Sequence, residues 1–389
     1  MASANIETKE HAHGLGAIPV SRADVRGSFD VNDFPVPNGR EEEWRFTPLR
    51  RLKGLHDAAD KVGPGEVSID VSAPESVAVE TVGRDDERLG TSFLPSDRVS
   101  ARAYSSFEEA TVITVPKGVQ EDTLTMRVTG TTYGTAYGHT VVRVERGATV
   151  TVVLDYSGSA VYADNTEFIV EDGARLNVVS LQDWAGDAVH VTQQHARIGR
   201  DATFRSFVAT LGGDLVRVVP KVRYAGPGGD AELHGLYFTG TGQHHEHHSL
   251  VDHSTSHTRS RVDYRGALAG DDARAVWIGD VIIGEGTVET DSYENNRNLQ
   301  LTENTRVDSV PNLEIFTGEV AGAGHASASG RLDEIHLFYL MSRGIPADEA
   351  RRLVLRGYFE ELINRIENPE LRERISAEVE EKLQEQGLG

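Results

Sequence analysis

Apolar and polar residues alternate along short segments between about residues 100 and 330. The alternation is clear at residues 139–144 and 149–153, and segments with a helical period are lacking in this region. Because neighbouring side chains of a strand point to opposite faces, each segment has one face that can be buried in a core. The pattern therefore predicts that this part of the chain is mainly β.

A short phrase recurs within the β region: a turn-forming residue, an alanine, any residue, and then an apolar residue. Its alanines lie 26, 28, 29 and 42 residues apart, at Ala148, Ala174, Ala202, Ala231 and Ala273. The near-equal spacings predict one turn of a solenoid per repeat, and the longer last spacing predicts an insertion. A parallel β-helix is therefore the predicted core, and an antiparallel sandwich is the alternative.

Apolar residues follow a helical period after residue 330. Asp333 is suited to cap a helix that runs to about Ser342, and Gly344 is suited to end it. A second helix is predicted from an apolar stripe at Leu355, Phe359, Leu362, Ile363 and Ile366, and a third from Leu371, Ile375, Val379 and Leu383. Such stripes usually pack on their own domain, and a surface for a partner is the alternative.

The first 95 residues have a mixed pattern and are rich in Pro and Gly. Within them, residues 40–52 predict a short helix whose shared face carries Trp44, Phe46, Leu49 and Leu52. The chain is thus divided into an N-terminal mixed and helical region (1–95), a parallel β-helix core (96–330) and a C-terminal helical region (331–389).

Composition removes several classes of function. The 389 residues carry a formal net charge of −22, which argues against a nucleic-acid partner because phosphate binding needs clustered Lys and Arg. The sequence has no cysteine, which excludes disulfides, thiolate metal ligands and cysteine nucleophiles. No apolar run approaches the roughly 18 residues that span a bilayer, and residues 1–16 do not resemble a secretory signal, so no membrane association and a cytoplasmic location are expected.

Histidines are concentrated at residues 243–257, which read QHHEHHSLVDHSTSH. On a strand, His245 and His247 would share one face, and Glu246 and His248 would share the other. Imidazole and carboxylate are good ligands for Zn, Fe or Mn, so His245 and His247 are weaker candidates for metal contacts. The favoured interpretation is a polar ladder on a solvated strand face, with the histidines bonded to neighbouring turns.

Motifs of nucleotide chemistry and acyl transfer are absent from the sequence. It contains neither GxxxxGK[ST] nor GxSxG, so no phosphate-binding loop or nucleophile elbow is expected. His325 is set apart from the other histidines because it lies in a run of small residues, 319–330, between the β and helical regions. Small residues permit close approach of another chain, although a single histidine is more often structural.

Residues 243–359 resemble the region shared by the SufB/SufD family of iron–sulfur cluster assembly scaffold proteins. The most specific matches are NRNL at 296–299, VDSVPNLEI at 307–315, HASASG at 325–330, and LDE at 332–334 followed by FYLMSRGI at 338–345. EEWRFT at 42–47 also looks like the N-terminal segment of SufD members. The resemblance is closer to SufD members than to SufB members, which are longer and carry a functional cysteine.

The resemblance implies a right-handed parallel β-helix with N-terminal and C-terminal helical regions, and a scaffold that is not an enzyme on its own. It implies pairing with SufB through the core, binding of the SufC ATPase through the C-terminal helices, and a homodimer as a further form of the isolated chain. The predicted SufC-binding region is the stripe at Leu355, Phe359, Leu362, Ile363 and Ile366.

The resemblance also assigns chemistry to His325, which matches the family's interface histidine. His325 is predicted to serve a nascent iron–sulfur cluster shared with SufB, which supplies the cysteine, and no cofactor is expected to bind the isolated chain tightly. The family's complexes are associated with a reduced flavin, for which no motif here identifies a site.

The segment before His325 departs from the family pattern. Relatives read roughly VKCSHGATVG, whereas residues 320–330 read VAGAGHASASG, without the cysteine and with one more residue before the histidine. The alternatives to cluster assembly are a metal-dependent enzyme that uses residues 244–257 and a carbohydrate-active β-helix protein. Both leave the NRNL segment and the helical tail unexplained.

Overall fold

The computed structural model describes residues 27–385 except residues 60, 93, 121 and 122, so the N-terminus examined for a secretory signal lies outside the described residues. The described chain alternates between two facing sheets. Their strands are β1 Glu66–Ser72, β2 Ala78–Gly83, β3 Glu109–Val115, β4 Leu124–Thr132, β5 Thr135–Val144, β6 Thr149–Gly158, β7 Val161–Val170, β8 Arg175–Trp184, β9 Val189–Ile198, β10 Thr203–Thr210, β11 Leu215–Tyr224, β12 Asp230–Thr239, β13 His244–His253, β14 Arg259–Leu268, β15 Arg274–Ile283, β16 Thr290–Gln300, β17 Arg306–Ile315 and β18 Val320–Arg331.

The helices lie before and after the run of strands. The α-helices of the described residues are α1 Arg98–Ser106, α2 Glu334–Ser342, α3 Ala347–Ile363 and α4 Pro369–Glu385, and short 3-10 helices occur at Val31–Asp33 and Leu49–Leu52. Asp333 caps α2 as predicted, because its carboxylate accepts a hydrogen bond from the Ile335 N–H. No helix among the described residues is both long enough and apolar enough to cross a bilayer.

The two sheets form a solenoid of about eight turns. One sheet has the order β1-β4-β6-β8-β10-β12-β14-β16-β18, and the other has the order β17-β15-β13-β11-β9-β7-β5-β3-β2. Neighbouring strands are parallel except that β1 runs antiparallel to β4 and β2 antiparallel to β3. The predicted mainly β, parallel solenoid with C-terminal helices is confirmed, and the antiparallel sandwich is excluded.

The recurring phrase marks the turns, but only in part. Ala148, Ala174 and Ala202 stack, because each carbonyl accepts a hydrogen bond from the strand that begins on the next turn. Ala231 lies further into its strand, and Ala273 precedes β15 in the opposite sheet. The expected insertion between them was therefore wrong. The longer spacing arises because the phrase at Ala273 precedes a strand of the opposite sheet, whereas the other phrases begin strands of the first sheet.

Alternation places one face of each strand in the lumen and the other on an outer surface. The sheet that contains β6, β8, β10, β12 and β14, here called the β6–β14 sheet, packs its outer face against α3 and α4. The outer face of the opposite sheet packs against α1 and the segment around Trp44 and Leu52. Because both outer faces are covered, many strands are buried on both sides. Buried apolar clusters consequently occupy the lumen and the outer faces of both sheets.

The short helix predicted over residues 40–52 is largely wrong. The chain forms turns at 42–46 and only a 3-10 helix at Leu49–Leu52. Pro48 has no N–H to donate within a helix and disfavours helical backbone at Thr47, so a continuous helix cannot pass this point. The contacts of Trp44 and Leu52 with the solenoid wall decide the local structure instead.

Candidate functional site at the open end of the solenoid

The last two strands leave one end of the solenoid uncovered by the described residues. β17 and β18 are the final strands of their sheets, and no described strand pairs with their outer edges. Their residues are half-buried or exposed, whereas nine of the ten residues of β15, one turn below β17, are buried. We call the surface formed by β17 and β18 the open end.

His325 lies near the middle of β18 and is exposed. It pairs with Glu294 of β16, and aligned residues of parallel strands point to the same side. Because Glu294 points into the lumen, His325 faces the mouth of the lumen at the open end. The structure therefore exposes the imidazole at a point where another chain could reach it.

A β-bulge accounts for the extra residue before His325. Thr290 pairs with Val320 while Asp291 pairs with Gly322, so Ala321 has no partner in the ladder. Beyond this point the register is regular through His325. The extra residue relative to the family pattern is thus accommodated before the strand reaches the histidine.

The small residues before His325 pack against the chain's own neighbouring strand. A Cβ at Gly324 would lie 3.1 Å from a ring carbon of Tyr293, and a Cβ at Gly322 would lie 2.9 Å from its hydroxyl oxygen. Tyr293 is in turn covered by the guanidinium of Arg261, 4.8 Å from the ring centre. These two glycines are therefore explained by a contact within the chain, while residues 326–330 stay exposed.

The NRNL segment supports the open end from inside the lumen. The Asn296 amide donates to the Tyr237 hydroxyl at 3.2 Å and accepts from the Ser309 hydroxyl of β17 at 2.7 Å. The Asn298 amide donates to Asn296 at 2.7 Å and to the Ser329 hydroxyl of β18 at 3.3 Å. Both asparagines thus join the last two strands to the turn beneath them, which is a structural role.

Glu294 is the least expected residue of this end. Only 3% of it is exposed, and neither carboxylate oxygen has a hydrogen-bond partner among the described residues. Its side chain crosses the lumen, because a Cβ added to Gly279 would lie 2.8 Å from its Oε1. Burial, with a smaller effect of the Asp280 charge, raises the pKa of Glu294 to about 9.

His245 and His247 share a face, as predicted, but that face is the closed lumen. His245 donates to the Gly212 carbonyl at 3.0 Å and accepts from the Thr239 hydroxyl at 3.1 Å. His247 lies 2.9 Å from the Thr210 hydroxyl and stacks on Tyr237 with ring centres 4.9 Å apart. Burial lowers the pKa of each imidazole to about 3, so both are neutral at physiological pH.

The opposite face of β13 is also buried, so the solvated strand face was wrong. Glu246 accepts from the Thr47 hydroxyl at 2.8 Å and pairs with Arg217 at 3.1 Å, which joins the N-terminal segment to the solenoid wall. Burial raises the pKa of Glu246, but hydrogen bonds from His244 and His248 hold this pKa well below its usual value. Nowhere in the described chain do three His, Asp or Glu residues form a group that could hold a metal ion.

The predicted SufC-binding stripe faces inwards. Leu355, Phe359 and Leu362 are fully buried against the outer face of the β6–β14 sheet, and Ile363 and Ile366 nearly so. The exposed apolar residues lie on α2 instead, where Phe338 is 73% exposed, together with Ile335, Tyr339 and Met341. In this structure the stripe holds α3 in place, and α2 presents the apolar surface.

Two features of this region are not evident from the sequence alone. Glu294 resembles any acidic residue of a strand until the parity of β16 is fixed by Ser292, Asn296 and Asn298, all of which are lumen residues. Phe338, Tyr339 and Met341 of α2 lie in the FYLMSRGI segment that resembles the family, but nothing in their spacing shows that they are uncovered.

The geometry above defines a β-solenoid that exposes His325 at the end formed by β17 and β18 and has C-terminal helices packed along its side. A family model described as "SUF system FeS cluster assembly, SufBD core domain" matches residues 126–358. A SufBD family iron–sulfur cluster assembly protein of Mycobacterium leprae is 52% identical over 378 residues, which cover 95% of this chain and 96% of the relative.

More distant relatives include two proteins named iron–sulfur cluster assembly protein SufD. The protein from Escherichia coli is 23% identical over 90% of this chain and 89% of its own length, and that from Bacillus subtilis is 28% identical over 69% of this chain and 63% of its own length. The chain therefore belongs to the SufBD family, and its role lies in iron–sulfur cluster assembly by the SUF system.

Proposed function

We propose that this chain is a SufD-type scaffold subunit that pairs with SufB through the open end and carries the SufC ATPase on its C-terminal helices. The single observation that carries the proposal is the open end, where two terminal strands and His325 are exposed together. Similarity to two proteins named SufD, and a sequence without cysteine, support the SufD side of the family over the SufB side.

The open end suits a partner that continues the solenoid. The outer edges of β17 and β18 offer unpaired backbone N–H and C=O groups, which another chain's strands can pair with. Between the strands, Val307, Leu313, Val320 and Ala323 are only partly buried against the lumen core. A SufB subunit seated here would cover these side chains and complete both ladders.

His325 would then face the partner across the joined lumens. Clusters are ordinarily held by thiolates, and histidine replaces cysteine at some irons. A chain without cysteine can contribute an imidazole to a nascent cluster whose thiolate comes from SufB, and that cluster is cargo of the complex. The isolated chain is accordingly expected neither to keep a reconstituted cluster nor to hydrolyse ATP. A reduced flavin stays an expectation of the family resemblance.

We assign the contact with SufC to α2 and a supporting role to α3. Phe338, Ile335 and Tyr339 form an apolar surface that no described residue covers to any large extent. Large exposed apolar patches commonly mark interaction sites. The buried stripe of α3 would act indirectly, by holding the helical region against the solenoid.

The test of the proposal is co-purification of the tagged chain with SufB and SufC, combined with a His325→Ala variant. Because His325 is exposed, the variant is expected to change the free energy of unfolding by less than roughly 1 kcal/mol and to assemble normally. It is expected to fail in supporting cluster formation in cells. Full complementation by the variant, or failure of the wild-type chain to associate with SufB, would contradict the proposal.

A further inference from the structure

Glu294 is a buried carboxyl group that the fold does not use. Its two oxygens lack hydrogen-bond partners among the described residues, and the indole N–H of the adjacent Trp277 is also without one. Asn296 and Asn298, on the same face of β16, are by contrast engaged in hydrogen bonds. A buried polar group without a partner is costly and calls for an explanation, of which a missing ion is one.

A glycine of the opposite sheet, Gly279, leaves the space that this carboxyl group occupies. Gly279 lies opposite Glu294, and a Cβ there would be 2.3 Å from the Trp277 ring and 2.8 Å from the Glu294 Oε1. The groups nearest to such a Cβ are the Trp277 ring and the Glu294 carboxyl group, and neither carries a positive charge. Among the described residues, no positive charge therefore neutralises the carboxylate form of Glu294.

One strand separates Glu294 from the open end. His325 is its direct partner in the last ladder, on the same side of the sheet. Neighbouring strands are about 4.8 Å apart, so the carboxylate at the end of a glutamate side chain and an imidazole in this register can reach a common ion. The pair thus combines an exposed ligand with a buried one just beneath it.

We propose that Glu294 and His325 together form a half-site for a ferrous ion that is delivered for cluster assembly, and that the partner chain supplies the remaining ligands. This inference rests on the proposed function. Imidazole and carboxylate are both ligands of divalent iron. On binding, an oxygen of Glu294 bonds to the ion and the proton that the carboxyl group carried passes to water, so the ion brings the compensating charge that the lumen lacks.

The experiment is an anaerobic titration of the full-length chain with Co²⁺, used as a spectroscopic probe for Fe²⁺. Glu294→Gln and His325→Ala are each expected to weaken the same Co²⁺-binding component at least tenfold, and the loss in the double variant is expected to differ from the product of the two single losses, because the two residues share one ion. Glu314→Gln is the matched control, since Glu314 is a carboxyl residue of the terminal strand β17 on the outer side of the ladder. Its Co²⁺ affinity is expected to equal that of the wild type.

A Glu294→Gln variant that binds Co²⁺ as tightly as the wild type would overturn the half-site. So would the absence of any Co²⁺-binding component that depends on His325. Glutamine has nearly the same shape as a protonated glutamate, so the variant should fold, and thermal unfolding without metal checks this directly. Pairing with SufB is expected to be unaffected by Glu294→Gln, so a failure of the half-site is distinguishable from a failure of the proposed function.

Discussion

Acidification should destabilise the solenoid through the histidines of its lumen. His245, His247 and His253 are buried, and burial lowers the pKa of each to about 3 from an ordinary value of 6.5. A group whose pKa is lower in the folded state stabilises the fold above its unfolded pKa and loses that contribution as pH falls towards the folded pKa. The affected window therefore lies below about pH 6.5.

The magnitude follows from proton uptake by the unfolded chain. Between pH 7.5 and 5.5, each histidine takes up about one proton when unfolded and almost none when folded, which costs about 1.4 kcal/mol per histidine and about 4 kcal/mol for three. Glu294 acts in the opposite direction, because its folded pKa is raised above the ordinary 4.5. The comparison must therefore be between variants measured at the same two pH values.

Urea denaturation of wild type and His247→Gln at pH 7.5 and 5.5 measures the effect. The variant is expected to lose about 1.4 kcal/mol less than the wild type on acidification, since one titrating group is gone. Thr210→Val is the matched control, because it removes the hydroxyl partner of His247 without removing the imidazole. Equal losses in wild type and His247→Gln would refute the burial of a neutral histidine at this position.

Three further predictions follow from the packing and charges. Phe359→Ala should cost about 3–5 kcal/mol by thermal unfolding, since the ring is fully buried, whereas the exposed Phe338→Ala should leave stability unchanged and weaken SufC binding in a pull-down; the reverse result would assign SufC to α3. Gly279→Ala should cost about 1–3 kcal/mol by urea denaturation because its Cβ meets the Trp277 ring, and wild-type stability would contradict that contact. Arg217→Met should cost about 3–5 kcal/mol by urea denaturation because Glu246 loses its charge partner, and an unaltered midpoint would show that the pair is not buried.

The sequence predicts the solenoid because its signal is periodic. Ala148, Ala174 and Ala202 stand at equivalent corners, and corners that stack must repeat at nearly constant spacing. The phrase at Ala273 misleads because the strands of both sheets begin with a similar tight turn, so similarity of sequence does not identify the sheet. The stripe on α3 is likewise periodic, and its packing on the chain's own domain was expected as the usual outcome.

The site is less accessible to sequence reasoning because it depends on long-range contacts. Alternation correctly puts His245 and His247 on one face, but whether a face is lumen or surface depends on segments such as the one containing Thr47, far away in sequence. The helix predicted over residues 40–52 failed partly for this reason, because the contacts of Trp44 and Leu52 with the solenoid wall decide the local structure, and partly because Pro48 interrupts it. The resemblance identified His325 through its motif, while Glu294 lies outside the most specific matches and becomes conspicuous only when its lack of hydrogen-bond partners is seen.

The unequal ends of the solenoid bear on the size of the assemblies it can form. At the far end from His325, β1 and β2 run against the direction of the other strands and carry exposed Glu66, Asp70 and Glu80. Exposed charged side chains make these edge strands poor templates for further pairing. An assembly that joins two solenoids through their open ends therefore buries the pairing edges of both in one interface. This favours a finite pair over an extending fibre.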